Sequence, residues 1–97
     1  MKVSYSPRAI KQLDEIVSYI ARDDELAAAA VLDRIEKLTA LLGKFPAMGR
    51  PTDAGDVRIM SVPRYPYVLF YKVLQDKDEV RILRVRHTAR RPLKGYR

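Results

Sequence analysis

Residues 64–73, RYPYVLFYKV, and residues 79–92, EVRILRVRHTARRP, decide how this chain is read. Tyr67–Val73 is almost wholly apolar, with aromatic and β-branched types, the composition of a strand covered on both faces. Gln75–Glu79 (QDKDE) is polar and turn-like. Val80–Val85 then alternates loosely, and its polar positions are arginines. Two strands joined by a short polar interval predict a β-hairpin. It forms the middle of a sheet and delivers one histidine and a run of arginines to the surface.

Working outward, Lys2–Tyr5 reads as a first strand. Ser6-Pro7 then supplies a cap hydroxyl and a residue suited to the first helical position. Ile10, Leu13, Ile16, Val17 and Ile20 recur at helical spacing, which predicts an amphipathic helix over 7–22. Asp23 or Asp24 caps a second helix over 26–42, with Val31, Ile35, Leu38 and Leu42 on one face. Gly43 is expected as its left-handed stop. Phe45–Gly55 reads as an ordered crossing loop and Asp56–Val62 as a strand, with Pro63 and Pro66 bracketing a tight connection. The order is strand, helix, helix, strand, strand, strand. This is an α+β fold: a strand, an antiparallel helical hairpin, then a three-stranded antiparallel sheet with the helices packed on one face. The other face is expected to be half bare. All 97 residues form one domain, with 88–97 as a basic C-terminal tail.

The net charge of +7 is unevenly placed. Seven of the 19 basic residues (Arg81, Arg84, Arg86, Arg90, Arg91, Lys94 and Arg97) follow the second hairpin strand's start with no carboxylate among them. The other 12 are matched by the chain's 12 Asp and Glu. Such polarity predicts an anionic partner, nucleic acid or an acidic protein segment. The absence of cysteine excludes disulfides and thiolate metal sites and fits a reducing, cytoplasmic setting. No stretch approaches the ~20 apolar residues of a membrane span, and no leader is evident. One histidine and scattered acids give no metal-ligand set, the four glycines make no phosphate loop, and no cofactor is expected.

No catalytic residue is assigned, and His87 and Arg58 are the candidates. His87 is the one side chain that ordinarily titrates near neutrality. It serves either as a general acid/base or phosphate contact, or as a structural tie at the strand end. Arg58, one strand earlier, could share a face with Arg84 or Arg86 and grip phosphate or carboxylate, or be a plain surface residue. Tyr65, Tyr67 and Tyr71 are either base-stacking platforms or core.

Four stretches, YSPRAIKQLDEIVSYIA (5–21), LLGKFPAMGRP (41–51), VRIMSVPRYPYVLFYKV (57–73) and VRILRVRHTARRP (80–92), together resemble the RelE/ParE superfamily. These are the toxins of type II toxin–antitoxin pairs, also called plasmid stabilisation proteins. The resemblance spans nearly the whole chain. It implies a compact strand, helical hairpin and sheet, and neutralisation by a small antitoxin whose C-terminal segment wraps the toxin. Two activities occur among such proteins: RelE-like cleavage of messenger RNA on the ribosome, and ParE-like poisoning of DNA gyrase.

Cleavage needs a base, an acid and cations around the phosphate. Where the nucleases carry cations this chain has Val68 and, on the preceding strand, Met60. His87 matches a histidine of some nucleases, but the tyrosine expected after it is Thr88. The tail resembles the ParE branch. The resemblance therefore implies a gyrase-poisoning toxin neutralised by a ParD-like antitoxin, with Arg58, Arg84, Arg86, His87, Arg90 and Arg91 contacting target or antitoxin. The alternatives are an mRNA endoribonuclease using His87 and Arg58, and an inactive homologue kept for antitoxin binding. Repression of the pair's own promoter is implied chiefly for the antitoxin, so DNA binding is not assigned to this chain.

Overall fold

Ser6 turns the chain from β1 (Lys2–Tyr5) into α1 (Pro7–Ala21). Its backbone is extended, and its Oγ accepts the Ala9 amide at 3.0 Å. That cap satisfies a donor the first helical turn would otherwise leave unpaired. The computed structural model describes residues 1–88. Asp24 caps α2 (Glu25–Lys44) in the same way, its carboxylate accepting the Ala27 amide at 3.0 Å. α2 does not stop at Gly43 as expected but runs through it to Lys44. What Gly43 supplies is room. A Cβ there would lie 2.8 Å from the Met1 carbonyl oxygen and 3.1 Å from Val3 Cγ2. Without one, the end of α2 lies against β1, and the Met1 amino group donates to the Gly43 carbonyl at 3.1 Å.

Among the described residues the sheet has five strands in the order β1-β5-β4-β3-β2. The loop after α2 contains a two-residue strand, β2 (Arg50–Pro51), which pairs antiparallel with β3 (Val57–Ser61). β4 (Tyr67–Leu74) is central, as the hairpin reading requires. It is joined to β5 (Glu79–His87) through a 3-10 turn at Gln75–Lys77 and a left-handed Asp78. β1 pairs with β5 in parallel, the one parallel ladder beside three antiparallel ones.

The β4–β5 register slips between Phe70 and Tyr71: Tyr71 stands opposite Ile82, but Phe70 stands opposite Arg84. Leu83 is the surplus residue of a β-bulge, and the slip restores the alternation that the adjacent apolar pair Ile82-Leu83 would break. Because of it, Ile82 and Val85 both face the helices, while Arg81, Arg84 and Arg86 all face the other way.

The main core lies between helices and sheet, where Ile35, Leu42, Leu69, Tyr71, Val80 and Ile82 are inaccessible to solvent. The opposite face is not bare as expected. Val57, Ile59 and Phe70 form a second cluster there, with Ala54, Val68 and Leu83 packed on it. Among the described residues no helix is long and apolar enough to cross a membrane.

Candidate functional site

Register assigns each singled-out residue to a face, since residues directly opposite one another on paired strands share a side. Arg84 stands opposite Phe70 and Arg86 opposite Val68, both on the face away from the helices. Lys72 and Arg81 are opposite each other on that same face. Arg58 is not with them. It stands opposite Tyr71, on the helix-covered side. Its guanidinium donates to the Gly49 carbonyl at 2.6 Å and reaches the Ala47 carbonyl at 3.5 Å. Arg58 therefore steadies the loop before β2.

His87 lies opposite Tyr67, its ring edge-on at 5.3 Å and 88°. Both border a groove of about 630 Å³ between α1 and the ends of β4 and β5, whose walls include Gln12, Ile16, Tyr19 and Val85. Gln12 closes one backbone position there, its side-chain oxygen accepting the Val85 amide at 2.8 Å. His87 and Arg58 do not meet. Their partners Tyr67 and Tyr71 are four positions apart on β4, about 13 Å at roughly 3.3 Å per residue. Val68 and Met60 are both packed in apolar clusters. Arg90 and Arg91, with the rest of the tail from residue 89, lie outside the described residues.

The tyrosines divide as core rather than platforms. Tyr67 and Tyr71 are buried in the main cluster and Tyr65 packs against it. The Tyr71 hydroxyl donates to the Pro46 carbonyl and accepts the Gly49 amide, each at 2.8 Å. Burial pushes this hydroxyl above its usual range against the opposing effect of the Gly49 amide and Arg58, so it stays protonated and able to donate. Burial likewise raises the Tyr5 hydroxyl. Tyr5 meets Thr39 Oγ1 at 2.8 Å, and Thr39 in turn donates to the Glu36 carbonyl, which makes Tyr5 the donor.

One cluster was not foreseen. Glu79, read as the end of a turn, is a buried carboxylate on the second face. It accepts from the Ser4 hydroxyl and from Arg81, whose nearest nitrogen is 2.9 Å away. The Ser4 hydrogen bond, then Arg81, holds its carboxyl below the ordinary 4.5. The clamp joins β1 to β5. Its only trace in the sequence is a polar residue at each of positions 4, 79 and 81, which pairing alone makes meaningful. Among the described residues no group of three His, Asp or Glu side chains could hold a metal ion.

The described surface therefore offers a cationic strand face and a histidine-edged groove beside it. Comparison with known proteins adds to this. A sequence model described as "ParE toxin of type II toxin-antitoxin system, parDE" matches residues 3–92. The chain is 37% identical over 86 residues to Y4kP, a candidate toxin of Sinorhizobium fredii, covering 89% of this chain and 86% of that one. It is 34% identical over 89 residues to toxin RelE2 of Caulobacter vibrioides, covering 92% and 97%. Its fold matches a protein of the chromosomal ParDE system of P. aeruginosa with a TM-score of 0.76 at 23% identity, over 90% of this chain and 95% of that one. The isolated E. coli RelE toxin superposes with a TM-score of 0.69 at 17% identity, over 93% and 86%.

Proposed function

The chain belongs to the ParE toxin family of type II toxin–antitoxin systems, and on that premise we propose that it arrests growth by binding and poisoning DNA gyrase. It acts by contact, in the cytoplasm, and is neutralised by a ParD-like antitoxin. The observation that carries this reading is the packing of Val68 and Met60. The positions where a ribonuclease of this superfamily needs cations are filled by partly buried apolar side chains packed against the two clusters. Phosphate cleavage needs charge focused on one reacting group, and His87 and Arg58 stand too far apart to supply it. Arg84, Arg86 and His87, followed by Arg90 and Arg91, contact the target or the antitoxin; Arg58 does so only from its place against the 47–49 loop.

The test is a supercoiling assay with purified gyrase. The folded protein is expected to inhibit supercoiling and to trap cleaved DNA, and loss of both effects on adding the antitoxin is expected. A folded, pure protein that leaves supercoiling untouched overturns the reading.

A second reading, cleavage of ribosome-bound mRNA, draws on the RelE2 relative and on His87 at the groove. Toe-printing of a translated message with the wild type and His87→Ala decides it. Cleavage that His87→Ala abolishes would favour this reading over the first. A chain inactive in both assays and harmless on induced expression would be a homologue kept for antitoxin binding.

A further inference from the structure

The sheet face turned from the helices carries one sign of charge along its β4, β5 and β1 side. Lys72, Arg81, Arg84, Arg86 and Lys2 all stand there by register, against the single carboxylate of Glu79, which Ser4 and Arg81 already engage. Other acids lie at the margins: Asp53 and Asp56 in the turn between β2 and β3, Asp76 and Asp78 in the turn between β4 and β5. The helical layer mixes its charges, with Lys11, Arg34, Lys37 and Lys44 beside Asp14, Glu15, Asp33 and Glu36.

The apolar part of the cationic face is mostly covered, its centre buried and Ala54, Val68 and Leu83 half-buried around it. Val57 and Ile59 are 8% exposed and Phe70 is 4% exposed. A docking protein segment gains its affinity from apolar and aromatic anchors seated in desolvated pockets, and this face has little such area left to bury. A linear polyanion needs only cations spaced along its path, because released counterions supply the drive. Among the described residues no aromatic ring on this face is open to stacking, since Tyr67 and Tyr71 lie on the other side and Phe70 is covered. Single strands are held largely by such stacking, so a duplex fits better.

We propose that the Lys72–Arg81–Arg84–Arg86 face binds the phosphate backbone of double-stranded DNA without reading its sequence, as a property of the toxin chain itself. Gyrase has no part in this contact, so it stands or falls apart from the poisoning activity.

The experiment is fluorescence anisotropy of the full chain with a 20-base-pair DNA duplex of arbitrary sequence, repeated from low to high salt. Binding is expected for unrelated sequences alike. For three or four phosphate contacts, log K should fall against log salt with a slope of about −3. The double variant Arg84→Glu/Arg86→Glu should lose at least tenfold in affinity and flatten the slope. Lys11→Glu/Lys44→Glu, which changes net charge equally on the helical layer, should lose less than threefold. If charge reversal on the strand prevents folding, as judged by circular dichroism, Lys72→Gln/Arg86→Gln replaces it, with Lys11→Gln/Lys44→Gln as the control of equal charge. Equal losses on both layers would assign the binding to net charge and overturn the proposal. So would the absence of binding at 50 mM salt, tighter binding to single-stranded RNA, or preference for an acidic peptide.

Discussion

The Tyr71 hydroxyl is buried between two backbone groups of the loop before β2, and Gly49 is the residue that lets it fit. A Cβ at 49 would stand 2.6 Å from that hydroxyl and 2.8 Å from the Ile59 carbonyl oxygen. Gly49→Ala should therefore destabilise by about 1–3 kcal/mol through overpacking, and Tyr71→Phe by a similar amount because a buried donor and acceptor lose their partner. Urea denaturation checks both, and wild-type midpoints would count against this account. The Glu79 carboxyl makes a pH-dependent contribution of defined sign. Its folded value is depressed, so its stabilisation is present above about 4.5 and fades as pH falls through the lower folded value. Glu79→Gln should melt below the wild type at pH 7, and the gap should close in acid. A gap independent of pH would show that the clamp with Ser4 and Arg81 is not the cause. None of these contacts could be read from the chain, because each joins residues with no local pattern linking them. Tyr71 was legible as core, but not the reach of its hydroxyl.

At the level of elements, the helices were legible because their signals are local: a capping side chain, a proline, apolar residues at helical spacing. Ser6 does more than its local signal implies. Its hydroxyl also donates to the Leu83 carbonyl at 2.9 Å, so the cap of α1 also ties to the bulged strand. Ser6→Ala should cost about 1–2 kcal/mol, at the upper end for a cap, measured by chemical denaturation; a cost of a few tenths would remove the link to Leu83. Gly43 was misread because glycine at a helix end and glycine under a crossing strand are the same letter. β2 was missed because a two-residue strand containing proline has no periodicity of its own. The bulge was visible only as the doublet Ile82-Leu83, which reads as imperfect alternation. Deleting Leu83 should close the bulge into a regular ladder and leave Arg84 opposite Phe70 and Arg86 opposite Val68. We expect a cooperative melt by circular dichroism at a lowered midpoint, since the packing of Leu83 on the second cluster is lost; loss of the cooperative melt would show that the bulged geometry itself is required.

For the molecule as a whole, the imbalance of charge was legible as composition, and its gathering on one face was not, since that requires the pairing of three strands. Both apolar clusters share β4, so the described body should unfold in one transition with a heat-capacity change of about 1.2–1.5 kcal/mol/K; two calorimetric peaks would separate the clusters. The surplus residue in β5 also bears on descent. Beyond Ile82, inside and outside are set by ladder positions and not by residue count, because the bulge counts Leu83 and Arg84 as one position. A lineage losing that codon would close the bulge and keep every wet and dry letter in place. Kin with and without it can therefore present the same cationic face, one on a bulged last strand and the other on a regular one.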